Sequence, residues 1–292
     1  MKRVEQLLGA LLVLALVSCG DKEELREAVA EKRSAIVGGS EAWLDAAVAL
    51  TSTQCTFTGV PVLCSGLLIS PSVVLTARHC VISSPVPSCP NGVDITKWDT
   101  FRVAVGCHDI ANGCPSGNWK ALASMPTAAE GNYDLAILHL AEAVSVKPTR
   151  LATPARLAEI TAGDLVEEYG WGKTAETGSA SEVLNAVSMP IVAIPSVGVR
   201  GMPDSPYLFL VATGQNPYVG TEHGDSGGPT LVFRDGEGFS LGVMSGGVSG
   251  SAFNADTLVP FLLEWILSNT SDLPAQSWLP SAQVVATAAI LL

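Results

Sequence analysis

Apolar residues in this chain come in short runs, and glycine, proline, asparagine and serine separate them. In the first half the runs fall at 46–50, 63–69, 73–77, 101–105 and 135–140; in the second half at 185–191, 207–212, 229–233 and 240–245. Runs of this length, rich in Val, Ile and Leu and bounded by turn residues, predict strands rather than helices. Their spacing suits an all-β fold closed into antiparallel barrels. Residues 148–162 read as a linker between two halves, and Pro85, Pro87, Pro90 and Gly92 mark a long surface loop in the first.

The N-terminus breaks this pattern. Lys2 and Arg3 precede an apolar stretch at 7–17, too short to span a bilayer and right for the core of a secretory signal, so residues 1–18 are expected to be a signal peptide. The end of that segment, Leu16-Val17-Ser18-Cys19, resembles the bacterial lipobox, in which the cysteine is lipidated and becomes the mature N-terminus. The alternative is an ordinary signal peptide with an unmodified cysteine. Gly20 follows Cys19, so the aspartate of an inner-membrane retention signal is absent. The expected location is outside the cytoplasm, lipid-anchored at the cell envelope or outer membrane. Residues 19–35 then carry Glu23, Glu24, Arg26, Glu27, Glu31 and Lys32 among small residues, the composition of a solvated tether or a propeptide. The last apolar run, 284–292, is too short to span a membrane and reads as an extra packed segment in a tail from 271 to 292.

Composition narrows the function classes. With 48% apolar and 15% charged residues, the chain is folded, as one large domain or two small ones. A net charge of -12 argues against nucleic acid as a partner. Seven cysteines in an exported chain imply disulfides, and lipidation of Cys19 leaves an even six. Cys64, Cys80, Cys89, Cys107 and Cys114 show no CxxC pairing, so neither a metal nor any other cofactor is expected.

Candidate chemistry centres on the hexapeptide Gly224-Asp225-Ser226-Gly227-Gly228-Pro229. A serine hydroxyl is a poor nucleophile without a base to take its proton and donors to receive the oxyanion. Glycines beside it let backbone N–H groups face a substrate unobstructed. Upstream, His79 follows the apolar run ending at Leu75, and Asp134 opens the run Asp134-Leu135-Ala136-Ile137-Leu138, which can hold a carboxylate in a dry place. His108, His139 and His223 have no comparable surroundings and read as surface or structural residues. The order His, Asp, Ser separates one class of triad enzymes from the subtilisin and α/β-hydrolase orders.

With those motifs in order, residues from about 36 to 268 resemble the trypsin and chymotrypsin family of serine proteases, whose triad is also a general template for acyl transfer. The resemblance implies two antiparallel six-stranded β-barrels, at 36–150 and 151–270, with the Gly-Trp-Gly at 170–172 ending a strand near the start of the second and a C-terminal helix at 259–268 packed on it. It implies catalytic roles for His79, Asp134 and Ser226, an oxyanion hole from the N–H groups of Gly224 and Ser226, and a Cys64–Cys80 disulfide. Cys107 with Cys114 and Cys55 with Cys89 would complete the set, although the sequence allows other pairings. Ile36-Val37-Gly38-Gly39 resembles the activation site, where cutting before the isoleucine frees an ammonium to pair with Asp225. Here Arg33 is followed by Ser34 and Ala35, so the basic residue does not directly precede Ile36.

The expected specificity pocket comprises Gly220, Ser245, Gly247 and Asn254, with Glu222 and Asp256 nearby. Gly220 stands where trypsin-like members carry the aspartate that recognises Arg or Lys, and Gly246 replaces the usual tryptophan. An uncharged or small residue at the cut site is therefore expected. The expected partners are a protein or peptide substrate and, through Cys19, a membrane, with the chain itself a monomer. The rival from another class is a catalytically dead binding module on the same fold. An esterase would need the triad in a different order.

Overall fold

The computed structural model describes residues 36–273, apart from 58–60, 83–88, 90, 132, 175–178, 195–206, 212–218, 248–252 and 272. Cys19, the remainder of the segment 1–35 and the tail from 274 lie outside the described residues. A short strand, β1 (Ser40–Glu41), leads into seven strands of the first half: β2 (Ala47–Ser52), β3 (Cys64–Ser70), β4 (Val73–Thr76), β5 (Phe101–Val105), β6 (Trp119–Ala121), β7 (Thr127–Ala128) and β8 (Ala136–His139). They form one antiparallel sheet in the order β6-β5-β2-β3-β4-β8-β7. A bridge between Leu122 and Leu140, just past the ends of β6 and β8, joins the two sides of that sheet. Six strands thus close into a barrel with β7 on its flank, and among the described residues of this half no long edge is left to pair with another chain.

The second half contributes β9 (Arg150–Leu151), β10 (Leu165–Gly170), β11 (Asn185–Ala193), β12 (Tyr207–Val211), β13 (Pro229–Arg234), β14 (Glu237–Gly247) and β15 (Phe253–Leu258). Here the order is β11-β10-β13-β14-β15-β12, and β12 pairs back onto β11. That pairing closes a second six-stranded barrel. β1 adds to its outside on β11, and β9 runs parallel to β14. The fold is therefore the all-β arrangement of two closed antiparallel barrels that the runs of apolar residues imply.

The expected linker carries structure of its own: Leu151 and Ala152 are buried, β9 pairs with Phe239 and Ser240, and a helical turn α1 (Pro154–Leu157) is capped by Thr153, whose Oγ1 accepts from Arg156 N. Its apolar residues dock on the second barrel as soon as the chain leaves the first. The C-terminal helix, expected on the second barrel, begins as a 3₁₀ turn at Pro260–Leu262 and continues as α2 (Leu263–Ser268). Leu262, Leu263 and Ile266 pack into the cluster that fills the first barrel, alongside Val74 and Leu138. Their spacing puts one apolar stripe against it, so the helix ties the end of the chain back to the first half.

Between the barrels, Ala47, Ala49 and Ala104 meet Tyr169, Trp171 and Leu231 in one buried cluster. Small side chains on the outer face of the first barrel let large ones from the second approach closely. All six cysteines from Cys55 onward are paired, as Cys55–Cys89, Cys64–Cys80 and Cys107–Cys114, in agreement with expectation.

The Cys64–Cys80 bond closes a loop with a sequence separation of 16. Replacing both by alanine is expected to lower stability by about 3 kcal/mol on the chain-entropy account, read as a fall in the urea midpoint under non-reducing conditions.

Candidate active site

His79 lies in a 3₁₀ turn at Arg78–Cys80, directly after β4, and Asp134 lies two residues before β8. Because β4 and β8 pair antiparallel, with Thr76 opposite Ala136, the end of one strand and the start of the next come together. His79 Nδ1 is 2.7 Å from Asp134 Oδ2, and the His79 backbone N–H donates to Oδ1 at 2.8 Å. The carboxylate therefore grips the histidine twice, which fixes the ring and leaves Nε2 directed away from Asp134. The imidazole side chain is 40% exposed and the carboxylate only 17%.

Two further groups come to Asp134 from the second barrel. Ser245 Oγ donates to Oδ2 at 2.7 Å and Thr257 Oγ1 to the backbone carbonyl at 3.2 Å. Burial alone would raise the Asp134 pKa. The hydrogen bond and charge of His79, with the Ser245 hydroxyl and the His79 N–H, outweigh it and hold the carboxyl below the usual range. Ser245, expected in the specificity pocket, gives its hydroxyl to this carboxylate.

The loop before β13 carries Ser226. Asp225 within it is fully buried, taking a hydrogen bond from Gly172 N at 2.7 Å and from Glu222 N at 2.9 Å. A Cβ at Gly170 or Gly172 would collide with that carboxylate, which is the physical reason for glycine on both sides of Trp171. Gly224 sits at φ +105°, a conformation that other residues rarely adopt, and this turns the loop toward the first barrel. Asp225 N donates to Glu222 O, Gly227 N to Met244 O and Gly228 N to Asp225 O. The intervening N–H groups of Gly224 and Ser226 have no acceptor among the described residues.

Ser65 on β3 joins the halves of the site, and nothing in the sequence singled it out. Its N–H donates to Ser226 O at 2.9 Å, and its Oγ donates to Gly224 O at 2.9 Å while accepting from Trp171 N at 3.3 Å. Its neighbour Cys64 is bonded to Cys80, whose sulphur lies 3.9 Å from His79 Nε2 and 3.6 Å from Ser226 O. His79 and Ser226 are thereby brought to one place from different barrels. The same geometry places Cys64, His79 and Cys80 within metal-ligand range of one another, but both sulphurs are committed to the disulfide.

Ile36 is fully buried in the second barrel's cluster, and Val37 exchanges two backbone hydrogen bonds with Gly220, each 2.9 Å. Burial pushes the pKa of Asp225 up to about 7, against the pull of the two N–H groups. Gly247 is paired with Asn254, whose amide turns into the barrel and donates to Glu168 Oε2 at 3.2 Å. Glu222 is buried too, and Asp256 is held by Thr230. His223 is exposed; His108 stacks on Trp43 and faces Glu41 at 3.3 Å.

Two closed β-barrels with a histidine–carboxylate pair on one and a serine between glycines on the other define a class of protein on their own. The chain belongs to the trypsin family, whose model matches residues 36–266. It is 28% identical over 231 residues to the proclotting enzyme of Tachypleus tridentatus, an alignment covering 73% of this chain and 59% of that protein. Brachyurin of Leptuca pugilator is 26% identical, with 72% and 89% covered. Glucanase inhibitor protein 1 of Phytophthora infestans is 28% identical, with 82% and 90% covered. The chain spans 59% of the proclotting enzyme and 38% of a CLIP domain-containing serine protease of Bombyx mori.

Ser65→Ala removes the donor to a buried carbonyl and the acceptor for Trp171 N. The expected loss is about 1–3 kcal/mol in denaturant unfolding, because Gly224 O is left buried without a partner. An unchanged midpoint would mean the two barrels do not depend on this contact.

Proposed function

We propose that the chain is a serine endopeptidase that cuts peptide bonds through an acyl-enzyme formed on Ser226. The observation that carries this reading is the double hydrogen bond from His79 to Asp134, set beside a serine whose own N–H and that of Gly224 have no acceptor among the described residues. In this reading Asp134 holds Nδ1 protonated and stabilises the imidazolium. His79 Nε2 takes the Ser226 proton as Oγ attacks the carbonyl carbon, then returns it to the leaving amine. The N–H groups of Gly224 and Ser226 receive the oxyanion; a donor of this kind typically contributes about 3 kcal/mol to the transition state. Water repeats the sequence on the acyl-enzyme, and the serine is regenerated.

Substrates in this reading are proteins or peptides, and Gly220 gives no charge with which to select Arg or Lys. The chain is made as an inactive precursor. Cleavage before Ile36 frees an ammonium that pairs with Asp225, a carboxyl that burial otherwise holds near a pKa of 7. Buried pairs of this kind act as switches, since a lone buried carboxylate costs several kcal/mol. A lipid on Cys19 tethers the precursor to a membrane outside the cytoplasm, so the same cut releases the catalytic domain. The rival reading, a protease fold kept for binding, draws on the name of the Phytophthora relative alone.

Ser226→Ala is expected to abolish hydrolysis of a peptide library while leaving the unfolding midpoint unchanged; equal turnover in the variant would refute the peptidase. For activation, N-terminal sequencing of active material is expected to begin at Ile36, with an inactive uncut precursor. Full activity in a chain still continuous through Ala35 and Ile36 would end the precursor model. Cys19→Ser is expected to move the protein from the membrane fraction to the soluble one, and mass spectrometry of the N-terminus checks the lipid directly.

A further inference from the structure

The interior of the second barrel holds a pair of acids for which triad chemistry has no use. Successive residues on a strand face opposite sides, so Glu167-Glu168 on β10 must send one carboxyl inward. Glu168 is that one, fully buried, and Asp256 on β15 is buried beside it. Thr230 Oγ1 donates to Asp256 Oδ2 at 2.6 Å, and Asn254 Nδ2 to Glu168 Oε2 at 3.2 Å. The other two oxygens, Glu168 Oε1 and Asp256 Oδ1, are buried and receive no hydrogen from any other group among the described residues. The two carboxyls interact with each other. A carboxylate only accepts, so a hydrogen bond between two carboxyls requires that one of them be protonated.

Among the described residues, what lies in register with the pair is neutral: β11 brings Val187 and β13 brings Thr230 beside Glu168, and β14 brings Met244 beside Asp256. The further charge that acts on Glu168 is Asp225, and the one that acts on Asp225 is Glu222. No lysine, arginine or histidine among the described residues is paired with Glu168, Asp256 or Asp225.

We infer that Glu168 and Asp256 share one proton and together act as positioning residues for the cleft, holding Asn254 against the strand that carries Ser245 and limiting the negative charge beneath Asp225. Asn254 pairs with Gly247, two residues along β14 from Ser245, so a shift of its amide reaches the strand beside Asp134. Loss of the shared proton sets two anions in contact and adds repulsion toward the loop of Ser226. Burial first, then the neighbouring Asp256, holds the Glu168 pKa well above the carboxylate range, and burial raises that of Asp256. The sign follows from linkage. The folded chain keeps a proton that the unfolded chain releases in the ordinary carboxylate range, so the pair's contribution is full below that range and is lost as pH rises through the raised value.

The consequence for activity rests on the endopeptidase reading; the shared proton does not. Glu168→Gln keeps the shape, donates Nε2–H to Asp256, accepts from Asn254 and has nothing to release. Asp256→Asn places the neutral amide on the opposite side and serves as the second variant. Profiles of kcat/KM between about pH 5 and 10 are expected to agree at the acid end, with the natural chain at least about tenfold below Glu168→Gln at the alkaline end. Glu168→Leu, which deletes both hydrogen bonds, is expected to raise KM more than it lowers kcat, and Gln to restore it. In parallel, amide exchange over 219–228 is measured in a Ser226→Ala chain with and without Glu168→Gln, which needs no turnover. The natural pair is expected to lose protection there as pH rises, beyond the intrinsic rate, and the Gln chain to keep it. Superimposable activity profiles or superimposable exchange overturn the inference. If no chain cuts any peptide, the endopeptidase reading fails and the exchange comparison still decides this one.

Discussion

A buried carboxyl with no cation paired to it among the described residues, Asp225, sets the terms for much of the second barrel. Its two oxygens are held by backbone N–H groups of Gly172 and Glu222, one from the end of β10 and one from its own loop. To sit there it needs the space that a Cβ would occupy at Gly170 and Gly172. It also fixes where Ser226 emerges, since the residue that follows a clamped backbone has little freedom left. Val37 meets Gly220 on the same loop. Strand end and nucleophile loop are thus two solutions to one problem, the burial of a single carboxyl group.

The site depends equally on two barrels staying in register, and area alone does not set register. The alanines of β2 and β5 permit close approach but give no direction. Direction comes from polar contacts that cross the boundary: Ser65 to Gly224, Ser226 and Trp171, and Ser245 and Thr257 to Asp134. Each is wholly or partly buried, so a mismatch leaves a polar atom unpaired at a cost larger than the bond's own net contribution. Such contacts specify an arrangement more than they stabilise it. The Cys64–Cys80 bond acts from one side of the boundary, keeping the Ser65 strand and the His79 turn a fixed distance apart.

Most of the strands could be read from apolar runs, because each barrel wall buries one face of every strand and the runs are short and punctuated. The strands that escaped were β1, β6, β7, β9 and β15. The first four are two or three residues long with mostly exposed or half-buried side chains. In β15 the buried residues include Asn254, Asp256 and Thr257, so no apolar run marks it. The same polar interior hid Glu168, although two adjacent glutamates in a strand signal that one must face inward. His79, Asp134 and Ser226 were legible because each has a local motif. Ser65 was not, since its importance comes from partners 106 and 159 positions away. The packing of α2 was misjudged for a related reason: an apolar stripe shows that a helix is buried but not which barrel receives it.

Charge balance inside the second barrel separates two ways of accommodating acid there. Glu168 and Asp256 solve the problem by sharing a proton, and their partners Asn254 and Thr230 leave one oxygen on each free for it. Asp225 has no such freedom, because both its oxygens already accept N–H groups. Placing a proton on it would leave that oxygen a weaker acceptor and loosen its hold on Gly172 or Glu222. A proton would therefore remove the electrostatic penalty and weaken the geometry that orders Ser226. An ammonium at the same place would remove the penalty while leaving both oxygens as acceptors and adding donors of its own. On this argument acid pH cannot substitute for a cation at Asp225, and the two acidic centres, a few strands apart in one barrel, answer to different chemical signals.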